Sequence, residues 1–137
     1  MRIVLDTNVL ISGLLTPYGA PGRIVSLVAA GDLTLCFDGR ILGEYREVLA
    51  RPKFPFQTGQ IDALLEQIQH QGEPISPRPL PEPLLDRDDE PFLEAAIAGN
   101  VACLVTGNQR HYPNRCRQRI RVATPAIFLD EIWNEGT

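Results

Sequence analysis

The sequence is poor in the features that define several protein classes. It has only three cysteines in 137 residues, without the close spacing of metal-binding pairs, which favours reduced thiols in a cytoplasm over a disulfide framework. No apolar run approaches the roughly 20 residues that span a bilayer. The N-terminus lacks the basic and apolar regions of a secretory signal. We therefore expect a cytoplasmic protein without a membrane segment.

Acidic residues are absent from one long segment, 95–129, although the net charge of the chain is −4. The same segment carries five arginines: Arg110, Arg115, Arg117, Arg119 and Arg121. Just before it, acids crowd into residues 86–94: Asp86, Asp88, Asp89, Glu90 and Glu94. The negative total argues against binding nucleic acid through charge alone. An acidic cluster followed by a basic segment suits a metal site beside a phosphate-binding surface, and a solvated charged face is the alternative for each cluster separately.

The pattern of apolar residues predicts one α/β domain over residues 1–137. Apolar runs without polar alternation, typical of strands buried on both faces, occur at 3–5, 33–37 and 101–106, with a further short strand at 119–123. Helices are predicted between and after them, at 9–15, 24–30, 39–50, 61–68, 92–98 and 125–133. This alternation of strands and helices predicts a parallel sheet covered on both sides.

Small polar residues mark the predicted helix starts. We expect caps at Asn8, Asp38 and Thr124, and at Asp89 for the helix that follows Pro91, where Glu90 is the poorer alternative. Prolines recur between residues 72 and 83, so that segment is predicted to be an extended surface connection.

Several oxygen-bearing side chains fall where a parallel sheet places its ligands. Asp6 ends the first strand and Asn108 follows the strand at 101–106, so both lie at the carboxyl edge of the sheet. Asp89 can reach this edge from a helix start, and Glu44 flanks the apolar stripe of its helix. The alternatives are an Asp6 that only caps its turn and a Glu44 that extends into solvent. Gathered carboxylates favour a hard cation, and oxygen-only ligands point to Mg²⁺ or Mn²⁺.

Four short motifs together resemble the PIN domain family, and within it the group of toxin components of toxin–antitoxin pairs. They are Asp6-Thr7-Asn8-Val9, Glu44 on the helix after the second strand, Asp86-x-x-Asp89-x-x-Phe92-Leu93, and Val105-Thr106-Gly107-Asn108. The resemblance covers essentially the whole chain. It implies a three-layer α/β/α sandwich with a central parallel sheet and a metal-dependent ribonuclease that hydrolyses RNA phosphodiester bonds with Mg²⁺ or Mn²⁺.

The resemblance also implies roles for particular residues. By position, Asp6, Glu44 and Asp89 correspond to the catalytic metal ligands, and Asp86 to a further acid. Many members have Asp where this chain has Asn108. Its amide oxygen can still bind a metal but adds no charge, so a second ion would be held more weakly.

Other polar residues near these motifs have expected supporting roles. Three would orient carboxylates or water: Thr7, Asn8 and Thr106. Glu90 is a candidate to compensate for the charge that Asn108 lacks. Arg110 is the candidate contact for an RNA phosphate, although a surface loop whose arginines pair with acids is the alternative. Among the remaining polar and aromatic residues, we expect a structural His111, base stacking by Tyr18 or Tyr112, and a core position for Trp133.

The resemblance implies an antitoxin partner that blocks the site, and a homodimer. Two other functions remain open from the residues alone. If Asn108 marks a lost metal, the domain would bind RNA or protein without cleavage. A phosphatase with Asp6 as nucleophile is disfavoured, because the residue two positions on is Asn8 and no catalytic Lys follows at a strand end.

Overall fold

The computed structural model describes residues 1–134; residues 135–137, at the end of the predicted domain, lie outside the described part. Its centre is a sheet of five strands in the order β3-β2-β1-β4-β5, and every neighbouring pair is parallel. The strands are β1 Arg2–Leu5, β2 Thr34–Phe37, β3 Glu73–Pro74, β4 Cys103–Val105 and β5 Val122–Ala123. Helices flank this sheet, so the predicted three-layer α/β/α sandwich is confirmed.

Within residues 1–134, six α-helices connect and follow the strands: α1 Thr7–Leu15, α2 Ala20–Ala29, α3 Gly39–Leu49, α4 Thr58–Gln71, α5 Glu90–Gly99 and α6 Pro125–Ile127. A π-helical segment, Phe128–Trp133, continues α6. Short 3₁₀ turns lie at Arg87–Asp89, Gln109–His111 and Asn114–Cys116. The sequence thus indicated the order of the main elements. The structure differs at their ends, in the edge strand β3, which lies where a surface connection was predicted, and in the π-helical continuation of the last helix.

The central strands are buried because helices cover both of their faces. Ile3, Val4 and Leu5 of β1 are fully buried, as are all three residues of β4, which explains their lack of polar alternation. The proline-rich segment contributes β3, which includes Pro74 and pairs with β2 at one edge of the sheet. An edge strand tolerates proline, because no neighbouring strand lies on its outer side to accept the N–H that proline lacks.

Two of the predicted helix starts are correct. The Asp38 carboxylate accepts a hydrogen bond from the Ile41 N–H at 3.0 Å, and the Thr124 hydroxyl accepts one from the Ile127 N–H at 3.3 Å. Thr124 therefore caps the last helix as expected.

Two other helix starts differ from the prediction. Asn8 lies exposed within the first turn of α1, which begins at Thr7, so it is not the cap. Helix α2 begins at Ala20, four residues before its predicted start, because Pro21 fits the first turn of a helix, where its missing N–H leaves no bond unmade. A Cβ on Gly22 would overlap the Pro17 backbone, so only glycine fits this contact.

Cys36, Cys103 and Cys116 are buried and free, and burial raises the pKa of Cys36 to about 11. Within residues 1–134, no helix has both the length and the apolar character needed to cross a membrane.

The chain changes its direction across the sheet between β1 and β4. After β1 it crosses to β2 on one side, and after β4 it crosses to β5 on the other. A crevice opens at the carboxyl ends of two such strands, and open α/β sheets bind ligands there. Asp6 follows β1 and Thr106 follows β4, and the Asp6 N–H donates to the Val105 carbonyl at 3.0 Å. The fold therefore brings Asp6 and Thr106 to this crevice.

Candidate active site

Asp6 is held at the crevice by two hydroxyl groups from the segment after β4. The Thr106 hydroxyl donates to Asp6 Oδ2 at 2.8 Å, and the Tyr112 hydroxyl donates to the same oxygen at 3.4 Å. The Asn108 N–H in turn donates to Thr106 Oγ1 at 3.1 Å. These bonds fix the orientation of the Asp6 carboxylate, while within residues 1–134 its Oδ1 accepts no hydrogen bond.

Tyr112 was expected to stack on bases, and the structure corrects this. Its side chain is fully buried, so its ring is closed to any ligand and its hydroxyl serves Asp6. Burial and the nearby Asp6 carboxylate raise the pKa of Tyr112 far above its ordinary value, which keeps the hydroxyl a donor. Arg117 fixes this turn by donating to the Tyr112 and Gln109 carbonyls at 2.6 and 3.2 Å.

Glu44 projects from α3 toward the start of α1. The hydroxyl of buried Thr7 donates to Glu44 Oε2. Burial raises the pKa of Glu44; the Thr7 hydrogen bond opposes this, and the Asp6 and Asp88 carboxylates add to it. The adjacent Tyr45 is buried and donates to the Leu5 carbonyl at 2.6 Å, which ties α3 to the end of β1. Glu44 therefore lies within electrostatic reach of Asp6.

Asp89 lies at the junction of the 3₁₀ turn and α5, and its side chain makes no capping bond, contrary to the prediction. It is only 9% exposed, and among residues 1–134 its Oδ2 has no hydrogen-bond partner, although His111 Nδ1 lies 3.1 Å away. Burial and Asp6 raise the pKa of Asp89 to about 6, while His111 opposes this. A buried carboxylate oxygen without a hydrogen bond is costly. A cation at this position would relieve that cost.

The acids around Asp89 have different surroundings. Asp86 is exposed and accepts a hydrogen bond from the Asp88 N–H at 2.9 Å, which caps the 3₁₀ turn. Glu90 was a candidate to compensate for Asn108, but its oxygens accept bonds from the Leu84 N–H and Arg87 Nε, each at 2.9 Å. Its carboxylate is thus used to hold the chain before α5, and we discard that expectation.

The two asparagines of the motifs are both exposed. Asn108 Oδ1 accepts a hydrogen bond from the Arg110 N–H at 3.3 Å and closes the 3₁₀ turn that follows. The side chain of Asn8 makes no hydrogen bond within residues 1–134. Asn108 thus lies at the rim of the crevice, and Asn8 shows no contact that orients a carboxylate.

The arginines of the basic segment fall into two groups, those with a structural partner and those without an ion pair. Arg115 pairs with Glu82 at 3.1 Å, and Arg117 holds the turn at Tyr112, so both have structural partners. Arg110, Arg119 and Arg121 are exposed and form no ion pair with an acid in the described part of the chain. Of the five arginines, Arg110 lies next to the crevice and is free to contact a phosphate.

The donor set fits a hard divalent cation in its chemistry. Within residues 1–134, no three His, Cys, Asp or Glu side chains are already arranged to hold a metal ion. The Asp6, Glu44 and Asp89 carboxylates nevertheless interact: Asp6 raises the pKa of both Glu44 and Asp89. The Asp89 oxygen that accepts no hydrogen bond adds a third carboxylate to this group, and a set of three carboxylates suits Mg²⁺ or Mn²⁺.

Comparisons with known proteins agree with this fold. The family model described as PIN domain matches residues 2–110. The uncharacterized protein MJ1680 of Methanocaldococcus jannaschii is 27% identical over 142 residues, covering 96% of this chain and 91% of that protein.

Two solved structures share the fold at low sequence identity. A structure of VapBC2 from Rickettsia felis bound to a DNA fragment from its promoter matches with a TM-score of 0.58 and 17% identity, covering 89% of this chain and 97% of that one. A structure of FitAcB from Neisseria gonorrhoeae matches with a TM-score of 0.56 and 18% identity, covering 90% and 98%. Since the family model spans most of the sequence, the chain belongs to the PIN domain family, whose members are generally nucleases.

Proposed function

We propose that this protein is an Mg²⁺- or Mn²⁺-dependent endoribonuclease that hydrolyses RNA phosphodiester bonds. The observation that carries the proposal is the buried Asp89 oxygen without a hydrogen bond, which lies beside the Asp6 and Glu44 carboxylates at the crevice. Such a cluster is unfavourable by itself and favourable once a dication compensates it.

Asp6, Glu44 and Asp89 would hold the cation, with Asp86 and Asn108 available at the rim. When bound, the cation supplies Lewis-acid activation of water and stabilises the charge that develops on the phosphoryl oxygens. Thr106 and Tyr112 orient the Asp6 carboxylate, and Thr7 orients that of Glu44. Arg110 would contact an RNA phosphate from the rim.

Within the family, we assign the protein to the toxins of toxin–antitoxin pairs, acting in the cytoplasm as a homodimer. The resemblance of the four motifs supports this assignment, and so does the fold shared with VapBC2 and FitAcB. The antitoxin partner would block the crevice. An arginine from the antitoxin is suited to that task, because it would place a positive charge among the same carboxylates.

The test is a cleavage assay with purified protein and a labelled single-stranded RNA. We expect no cleavage in EDTA, cleavage in excess Mg²⁺ or Mn²⁺, and none of a DNA of the same sequence. Cleavage that persists in EDTA would contradict the metal dependence. RNA binding that is equal with and without chelator, with no cleavage in Mn²⁺, would instead favour a binding module in which Asn108 marks a lost ion.

A further inference from the structure

Beside the candidate active site lies a separate cleft of about 310 Å³. Pro83, Leu84 and Leu85 line one side, and Pro113 lies on the segment that forms the other. Asp89 lines this cleft as well as the crevice at the sheet edge, so the two spaces adjoin. The volume lies in the range of small-molecule sites in proteins.

One lining residue of this cleft carries an apolar side chain that the fold leaves in solvent. Leu85 is 103% exposed, the highest value for a large apolar residue in the described part of the chain. Its neighbours are anchored: Leu84 is buried with its N–H bonded to Glu90, and the Asp86 carboxylate accepts the Asp88 N–H. The backbone therefore holds Leu85 at the mouth of the cleft, so its exposure does not come from a loosely held chain end.

The opposite wall is fixed from behind. Arg117 donates to two carbonyls of the turn before Pro113, and Tyr112 is buried beneath it. This places the Arg110 and His111 side chains at the cleft, where His111 Nδ1 is 3.1 Å from an Asp89 oxygen. Both walls are therefore formed before any ligand arrives.

The chemistry of the lining selects its ligand. Leu85 and Pro113 offer apolar surface to the face of a flat ring. The Asp86 carboxylate can accept N–H groups, and Arg110, whose guanidinium has five N–H donors, can donate to a ring nitrogen or carbonyl as well as to a phosphate. A neutral, planar heterocycle with both kinds of polar group can use the acidic and the basic side chains of the lining together, whereas a free phosphate would use only the basic ones, Arg110, His111 and Arg115.

We propose that this cleft binds one nucleobase of a single-stranded RNA. The base would lie beside the phosphodiester that is to be cleaved at the site of the Asp6, Glu44 and Asp89 carboxylates. The inference rests on the proposed function, because it takes RNA as the substrate. It assigns to Leu85 the stacking role that the buried Tyr112 is unable to fill.

The direct test is a methyl NMR titration of the metal-free protein with adenosine, which has a base and no phosphate. We expect the Leu85 methyl signals to move upfield and to saturate, since a stacked ring shields the protons above its face. The Leu15 methyls, 43% exposed at the end of α1, serve as the control in the same sample, and ribose serves as the control ligand. No movement at Leu85, or equal movement at Leu15, would overturn the inference.

The kinetic test compares Leu85→Ala with Leu15→Ala in the RNA cleavage assay. Loss of the apolar contact between Leu85 and the face of the base is expected to raise KM roughly tenfold and to weaken the base preference beside the cleaved bond, with kcat little changed. Leu15→Ala should leave both unchanged. Cleavage by the wild type with an unaltered KM in Leu85→Ala overturns the inference and leaves the proposed function standing. Adenosine-induced shifts at Leu85 without any RNA cleavage support the base cleft and contradict the proposed function.

Discussion

Replacing Asp6 by Asn is expected to lower Mn²⁺-dependent RNA cleavage by about 10²- to 10³-fold, the loss typical when one preorganised electrostatic group is removed from a reaction site. Asn has nearly the shape of Asp, and its amide oxygen can still accept the hydrogen bonds from Thr106 and Tyr112. The fold is therefore kept, while the charge that attracts the cation is lost. Single-turnover rates at saturating RNA measure the effect.

Asp38 provides a matched control for this substitution. It follows β2 as Asp6 follows β1, but its carboxylate caps α3 and pairs with Arg40. Asn is as good a helix cap as Asp, so Asp38→Asn should cleave RNA at close to the wild-type rate. An Asp6→Asn variant as active as Asp38→Asn would exclude Asp6 from the reaction.

The second large effect is expected on stability, which a substitution at Asp89 should increase. In EDTA at about pH 7.5, Asp89→Asn should raise the free energy of unfolding by about 1 to 3 kcal/mol, because it removes a buried charge that accepts no hydrogen bond at Oδ2 and is repelled by Asp6. The same variant should lose RNA cleavage and most of the stabilisation that Mn²⁺ gives the wild type. Urea unfolding with and without Mn²⁺ measures both. Asp88→Asn, at the exposed neighbouring position, should change stability by no more than about 0.5 kcal/mol.

The gain from Asp89→Asn is also expected to depend on pH. The pKa of Asp89 is raised to about 6 by burial and by Asp6, above that of an unfolded carboxyl, so folding favours its protonated form. As the pH falls through 6, Asp89 of the wild type becomes protonated and its buried charge no longer lowers the free energy of unfolding. The higher stability of Asp89→Asn should therefore vanish by about pH 4. The difference between the two proteins isolates this group from other acids. An advantage that stays constant from pH 7.5 to about pH 4 would contradict a raised pKa at Asp89.

The positions that sequence reasoning located well are those fixed by local pattern. Asp6 and Thr106 follow short buried strands, and parallel strands bring their carboxyl ends to one edge whatever the loops do. The caps at Asp38 and Thr124 depend only on residues three positions ahead, so they too were predictable. The surroundings of Glu44 depend on how α1 packs on α3. The helical spacing alone therefore left open whether its side chain faced a cleft or solvent.

The errors arise where distant segments decide the outcome. Glu90 looked available in sequence, but the backbone of Leu84 folds back onto its carboxylate. Tyr112 looked like a surface ring in a basic loop, but Arg117 shapes the turn that buries it against Asp6. Its position, six residues after Thr106, was the one available signal for its contact with that strand end. Asn8 was a plausible cap, yet α1 begins one residue before it, so it lies inside the first turn.

The most direct measurement is the anomalous diffraction of a crystal soaked in MnCl₂. We expect an anomalous peak bounded by oxygens of Asp6, Glu44 and Asp89, with the Asp89 oxygen that lacks a hydrogen bond among the ligands. A fully soaked crystal in which these three carboxylates point apart, with manganese elsewhere or not bound, would contradict a dication site at the carboxyl edge of the sheet.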